Sequence, residues 1–271
     1  MPRSLPAFLV SLALGFTPAL AGEASAQALK LGGTGGAMGM AEKVAAAYAA
    51  KGGAAIEIIP GLGSSGSISA VADGAIDIAI SSRPLKPAEA ERGLTAVAIA
   101  RTPLVFATSL AAPPALNSAD IPAIFASVDP KWPDGSDLRI VLRPASDTDV
   151  ALLRDYFPGL AEAMEAARQR PEIPVAATDQ DNATLGEELP GSFIHAGLSQ
   201  LLTERRNLRT MAINGVEPTL ENIESGVYPY EKRFYLVHSA KAAGAEGLLG
   251  FLRSAQGVTV LRDAGCAPDD R

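Results

Sequence analysis

The sequence predicts an α/β protein built as two lobes, each a mostly parallel sheet flanked by helices and joined to the other by two crossings. Three observations carry that reading. Apolar, strand-like runs alternate with helical stretches from Leu29 onward, the spacing of right-handed βαβ units. Turns rich in glycine, serine or threonine lead from strand to helix after Leu31, Ile59 and Leu142. The composition also breaks at Ala111-Ala112-Pro113-Pro114 and near Asn214-Gly215, where the chain can cross between lobes. The expected division places residues 27–110 with 216–271 in the first lobe and 111–215 in the second.

Residues 1–26 stand outside this pattern. Arg3 precedes an apolar run from Phe8 to Phe16, and Ala24-Ser25-Ala26 before Gln27 fits the small-x-small rule of a cleavable signal peptide. Ala19-Leu20-Ala21 is a second choice. The run is too short to span a membrane as a helix. Export to a periplasm as a soluble protein, without a lipid anchor, is the expectation. Removing the leader takes away one basic and one acidic residue, so the mature chain keeps the net charge of -7. That acidity argues against nucleic acid and anionic membranes as partners. The single cysteine, Cys266, excludes an internal disulfide, and His195 and His238 stand alone, so no metal and no cofactor is expected.

Each element has a local reason. Leu29–Leu31 is a short strand, Gly32-Gly33-Thr34-Gly35-Gly36 a turn, and Ala37–Lys51 a helix with Met40, Val44 and Tyr48 on one face. The unit repeats with the strand Ala55–Ile59, the turn Gly61-Leu62-Gly63-Ser64-Ser65-Gly66-Ser67 and a helix whose Ile68, Val71 and Ala72 share a face until Gly74. Ile76–Ile80 is a strand ending in Ser81-Ser82-Arg83-Pro84. Thr95–Ala100 and Leu104–Ser109 read as two further strands. Ser118 starts a helix through Phe125, and Leu138–Arg143 is a strand opening a third turn. There Ser146, with Asp149 three residues on, has the form of a capping box. Helices follow through Tyr156-Phe157 and over Leu160–Arg168. Strands are expected at Ile173–Ala177, Ser192–His195, Leu208–Ile213 and Phe234–Val237, and helices at Leu220–Ile223 and Ala240–Ser254.

Such turns are anion sites in the making. A helix N-terminus offers unpaired N–H groups and the positive end of the helix dipole, and the hydroxyls add donors. Ser64 also has a plainer role open to it, as a helix cap. In a parallel sheet, ligands sit beyond the carboxyl ends of the strands. Thr34, Ser64 and Ser82 all follow strand ends and should lie on one edge.

The order and spacing of several short pieces resemble the periplasmic phosphate-binding proteins of bacterial phosphate ABC importers. These are Gly61-Leu62-Gly63-Ser64-Ser65-Gly66, Asp77-Ile78-Ala79-Ile80-Ser81-Ser82-Arg83-Pro84-Leu85, Ile124-Phe125 with Trp132, and Arg143 with Ser146 and Thr148. Ser225-Gly226-Val227-Tyr228-Pro229 and Leu261-Arg262-Asp263-Ala264-Gly265 complete the set. The resemblance covers nearly all of the mature chain. It implies a clamshell that closes on one oxyanion, most simply phosphate, and hands it to a membrane ABC permease, without catalysis and as a monomer. It places the binding residues at Thr34, Gly35, Gly36, Ser64, Ser82, Arg143, Ser146, Asp147 and Thr148.

Three positions depart from the family pattern. Ser82 stands where its well-known form has an acid, Asp147 where it has glycine, and Gly36 where a hydroxyl or an aromatic is common. Other oxyanions of the sulfate, molybdate or tungstate type, and a clamshell scaffold or sensor without transport, remain alternatives. One reading of Asp147 is that it replaces the missing acid, accepting the proton of hydrogen phosphate and repelling sulfate. The other is that it points outward and only favours the helix start. A hydrolase triad of Ser64, His195 and an aspartate is disfavoured, because Gly63-Ser64-Ser65-Gly66-Ser67 lacks the Gly-x-Ser-x-Gly elbow. No Gly-x-x-x-x-Gly-Lys nucleotide loop is present.

Overall fold

The computed structural model describes Met1 and residues 28–242 and 244–269. The expected leader and its cleavage site lie outside the described residues, Met1 apart. The strands are β1 (Leu29–Gly33), β2 (Ile56–Ile59), β3 (Ile78–Ser81), β4 (Leu94–Thr108), β5 (Arg139–Ile140), β6 (Ser192–Gly197), β7 (Arg209–Thr210), β8 (Glu231–Ser239) and β9 (Ala267–Pro268). They run in the order β2-β1-β3-β8-β4-β6-β5, with β7 and β9 also on β4. The parallel pairs are β1 with β2, β1 with β3, and β5 with β6. β4 and β8 run antiparallel to each of their partners. The sheet is therefore mixed, with its parallel parts at the two outer ends.

The alternation of side chains along the strands builds a core on each face. Ile78 and Ile80 pack with Leu31, Met40, Val44, Leu248 and Leu252, while Ala79 between them faces Ile68, Val71 and Val237. In the other lobe Leu104 and Phe106 face one core, and Val105 and Ala107 the opposite one. Helices cover both faces, as a period-2 strand buried on two sides requires. The second lobe is centred on aromatic rings. Phe106 stacks on Phe193 at 4.8 Å, and Phe125 and Trp132 meet Phe193 edge-on. Each such fully buried ring contributes roughly 1.5–3 kcal/mol by burial.

The fifteen-residue β4 replaces the two strands expected on either side of Pro103. Its first part pairs β8 from Leu94↔Ser239 to Pro103↔Glu231, and its last part pairs β6 from Leu104↔Gly197 to Ala107↔Ile194. Pro103 thus falls where the strand passes from one partner to the next, where a missing N–H is best tolerated. The helix expected over Ala240–Ser254 occupies Ala245–Arg253. It stops because the Ser254 hydroxyl accepts the Gly257 N–H at 3.2 Å and caps a new helix, Ala255–Asp263. A helix over Asp179–Glu188 was not foreseen, and it matters for the site.

Candidate functional site

A cleft of about 900 Å³ lies between the lobes. Thr34, Gly35, Ser64, Ser82, Arg143, Ser146, Asp147 and Thr148 all line it. Residues from three separate turns and from the end of β3, spread over more than a hundred positions of sequence, therefore meet in one place. Gly36 is not among its lining residues; it is buried, and its N–H is already bonded.

At the first turn, Thr34 donates its N–H to the Ile80 carbonyl at 2.9 Å, which fastens the turn to β3. Gly35 and Gly36 then start a short 3₁₀ turn that leads into the helix Met38–Ala50. The Gly36 N–H donates to Asp179 Oδ2 at 3.0 Å, and Gln180 Nε2 donates to the Gly35 carbonyl at 3.1 Å. A Cβ at Gly35 would stand 2.5 Å from Asp179 Oδ2, and one at Gly36 would stand 3.1 Å from Lys232 Nζ. A side chain at Gly35 would have to displace the ends of Asp179 and Gln180, and one at Gly36 would press on the Lys232 ammonium.

At the second turn, Gly61 and Gly63 have φ of 79° and 64°, a left-handed conformation that side chains resist. The helix begins at Gly63, so Ser64 lies inside its first turn and is not the cap. Its hydroxyl reaches across to the end of β3. It accepts the Ser82 N–H at 3.1 Å and lies 3.1 Å from the Ser82 hydroxyl. The partners of Ser64 are thus both on Ser82, not on His195. Arg83 turns away to form a two-pronged pair with Glu89 at 2.7 and 2.8 Å and to reach Ser65. The hydrogen bonds from Arg83 hold the Glu89 carboxyl down at about 2. Asp77 accepts the Lys30 N–H at 2.8 Å and ties β1 to the start of β3.

At the third turn, the capping residue is Asp147 and not Ser146. Asp147 has extended backbone, and its Oδ1 accepts the Asp149 N–H at 2.9 Å ahead of the helix Thr148–Tyr156. With the cap at Asp147, Asp149 is not placed to complete a box with Ser146, and both its oxygens instead meet the buried Lys232 ammonium at 2.7 and 2.8 Å. Asp147 does not point outward. Its Oδ2 accepts from Arg143 at 2.6 Å, and Arg143 also donates to the Ala176 carbonyl at 2.8 Å.

The electrostatics follow from burial and these pairs. Burial works to raise the Asp147 carboxyl, but Arg143, Lys232 and His195 together bring it below its ordinary value. Burial pushes the Asp149 carboxyl up to about 6, against the pull of Lys232. Burial also opposes the Lys232 charge, and Asp149 and Asp179 restore it, for a net rise. His195 lies deep in β6, and burial pushes it down to about 4. Its Nε2 has no hydrogen-bond partner among the described residues.

Three contributors escaped the sequence reading, Asp179, Gln180 and Lys232, and Asp149 entered it only as a capping partner of Ser146. The Thr178-x-x-Asp181 capping box, whose reciprocal bonds are 3.0 Å each, would have revealed the helix that presents Asp179 and Gln180. Lys232 sits between Glu231 and Arg233, and nothing in that run marks it as the buried one. Among the described residues, no cluster of three or more His, Cys, Asp or Glu is arranged to hold a metal ion. Nor is any described helix long and apolar enough to cross a membrane.

Comparison with known proteins agrees with this architecture. A chain from Clostridium perfringens, described as a phosphate ABC transporter substrate-binding protein with bound phosphate, superposes with a TM-score of 0.76 at 18% identity. That match covers 90% of this chain and 100% of the other. An ABC-type phosphate transport receptor from Vibrio cholerae has a TM-score of 0.63 at 18% identity, covering 88% and 99%. The periplasmic molybdate-binding protein of Azotobacter vinelandii has a TM-score of 0.58 at 17% identity, covering 88% and 98%. No curated protein matches the chain in sequence. A family model described as a PBP superfamily domain matches residues 19–256. With its two-lobed α/β fold and a cleft assembled from strand-end turns, the chain belongs to the PBP superfamily.

Proposed function

We propose that this protein captures an oxyanion, phosphate first, in the cleft between its lobes and delivers it to a membrane ABC permease. The observation that carries this reading is the convergence of Ser64, Ser82, Thr148 and Arg143 on one cleft. A dehydrated oxyanion needs many directed donors, and hydroxyls at helix starts with one guanidinium are suited to supply them. The phosphate-binding relatives above share the fold and support the choice of anion. The protein acts as a binder without catalysis, as an exported, periplasmic monomer.

The lobe boundary belongs to the same reading. Leu104, Phe106, Tyr228 and Tyr230 pack in the second core, and Ala100 and Phe234 in the first. This supports crossings at about Arg101–Pro103 and Tyr230–Lys232, outside Ala111–Pro114 and Asn214–Gly215, which gives the second lobe more of the chain.

Calorimetric titration with phosphate, sulfate and molybdate tests the proposal. The one tryptophan, Trp132, is buried against Phe193 and is not a cleft residue, so heat is a better signal than its fluorescence. Phosphate should bind at about 1 μM or tighter, near -8 kcal/mol. A preference for another anion transfers the reading to that anion. The second reading, a clamshell that has lost its ligand, is favoured by the closure of Arg143 onto Asp147. Absence of heat with all three anions would select it.

A further inference from the structure

The first turn carries a ligand substitute of its own. Asp179 stands at the start of the helix Asp179–Glu188, 143 positions along the chain from Gly36. Its Oδ2 takes the Gly36 N–H at 3.0 Å, and its Oδ1 lies 3.7 Å from Arg143 Nη2. One carboxylate thus touches a glycine-turn amide of the first lobe and the guanidinium of the second. These are the two kinds of donor that an oxyanion in this cleft would call on. Gln180 fixes the approach by bonding the Gly35 carbonyl, and its amide also reaches Glu204 at 2.8 Å.

We propose that Asp179, itself a lining residue of the cleft, is an internal competitor for the ligand: its carboxylate holds the Gly36 amide, which does not line the cleft while that bond stands, and thereby sets the affinity and the choice of anion. This rests on the oxyanion reading above. An N–H directed at Asp179 is withdrawn from an incoming anion, and an anion beside the carboxylate meets like charge in a poorly hydrated place. Entry therefore requires the carboxylate to give way, and the cleft binds less tightly than its donors alone would allow. Asp147, at 2.6 Å, shares the Arg143 Nη2 with Asp179 and caps its own helix start, but it leaves the Gly36 amide untouched.

Asp179→Asn tests this cleanly, because asparagine can still accept the Gly36 N–H and loses only the charge. Glu188→Gln, at the exposed far end of the same helix, removes one charge without touching the cleft. With inorganic phosphate as the probe, calorimetry should show Asp179→Asn binding about tenfold tighter or more, and Glu188→Gln within about twofold of wild type. Equal or weaker binding by Asp179→Asn, with wild type binding normally, overturns the inference and leaves the oxyanion reading standing. A gain of the same size in Glu188→Gln also overturns it, since the effect would then be general charge. No phosphate binding by either wild type or Asp179→Asn defeats the oxyanion reading and the inference with it. A second measurement needs no ligand. Hydrogen exchange at the Gly36 amide should be slow in wild type and faster in Asp179→Ala, and equal rates overturn the inference.

Discussion

Ser64 Oγ and Ser82 Oγ lie 3.1 Å apart, and the Ser64 oxygen also accepts the Ser82 N–H at 3.1 Å. The helix start after β2 and the strand end of β3 are thus joined by one hydroxyl that also faces the cleft. Ser64→Ala should weaken phosphate binding by about 1–3 kcal/mol and also lower folding stability by about 1–3 kcal/mol, since it leaves a buried N–H unpaired. Thr148→Ala should weaken binding by a similar amount with little change in stability, because its side chain is only half-buried and no helix cap depends on it. Calorimetry and urea unfolding on the same samples separate the two effects. Wild-type affinity in either variant removes that residue from the ligand shell.

Asp147→Asn retains a good helix cap and removes the charge that holds Arg143. If the acid discriminates by accepting the proton of hydrogen phosphate, the affinity for sulfate relative to phosphate should rise by about tenfold or more. Competition titrations with the two anions read this ratio directly. An unchanged ratio would show that selectivity resides elsewhere in the cleft.

His195 provides a pH test. Its imidazole faces Asp147, Arg143, Asp179 and Lys232, and burial lowers it to about 4. The unfolded chain takes up this proton near pH 6.5, but the folded chain does so only near pH 4. The contribution to stability is therefore complete above about pH 6.5 and is lost as the pH falls toward 4, to a total of about 3 kcal/mol. Asp149, raised to about 6, works in the opposite direction over part of this range, so the comparison must be between variants. Relative to His195→Gln, wild type should lose stability steadily from pH 6.5 to 4 in urea titrations. Parallel curves would mean that the imidazole is not held neutral.

The Lys232–Asp149 pair is buried on both sides. Lys232→Met leaves a carboxylate alone and should cost about 3–5 kcal/mol of stability, whereas adding Asp149→Leu should recover most of the loss. Urea midpoints of the two single variants and the double variant complete a thermodynamic cycle. A double variant as unstable as Lys232→Met would show that the pair's packing, and not its charge balance, is what the fold requires.

Most of the fold was legible because its signals are local. Glycine turns, apolar runs and their spacing located β1, β2, β3 and the helices that follow the first two, but not the short helix Pro87–Ala90 after β3, and Ser64, Ser82 and Thr148 all line the cleft. The errors came where distant contacts decide. Pro103 reads as a strand breaker, yet β4 runs through it because its pairing partner changes at that point. Ser146 has the form of a cap, yet the helix is capped one residue later by Asp147, and Asp149 turns to a lysine 83 positions beyond it. Asp179 could not be connected with Gly36 from sequence, because nothing local encodes a contact across 143 residues.

The crowding around Gly35 and Gly36 changes how a mutational scan of this turn should be interpreted. Both positions invite the view that glycine is kept so that a ligand can approach the backbone. The nearest atoms to an added Cβ belong instead to Asp179, Gln180 and Lys232. Alanine at either position would push first against these protein groups, disturbing the seam between the lobes and the lysine behind it. Loss of function in such a scan would therefore report displaced protein groups where the two halves meet, and a smaller residue at 179 or 180 should ease alanine at position 35. Glycine here is a record of protein meeting protein.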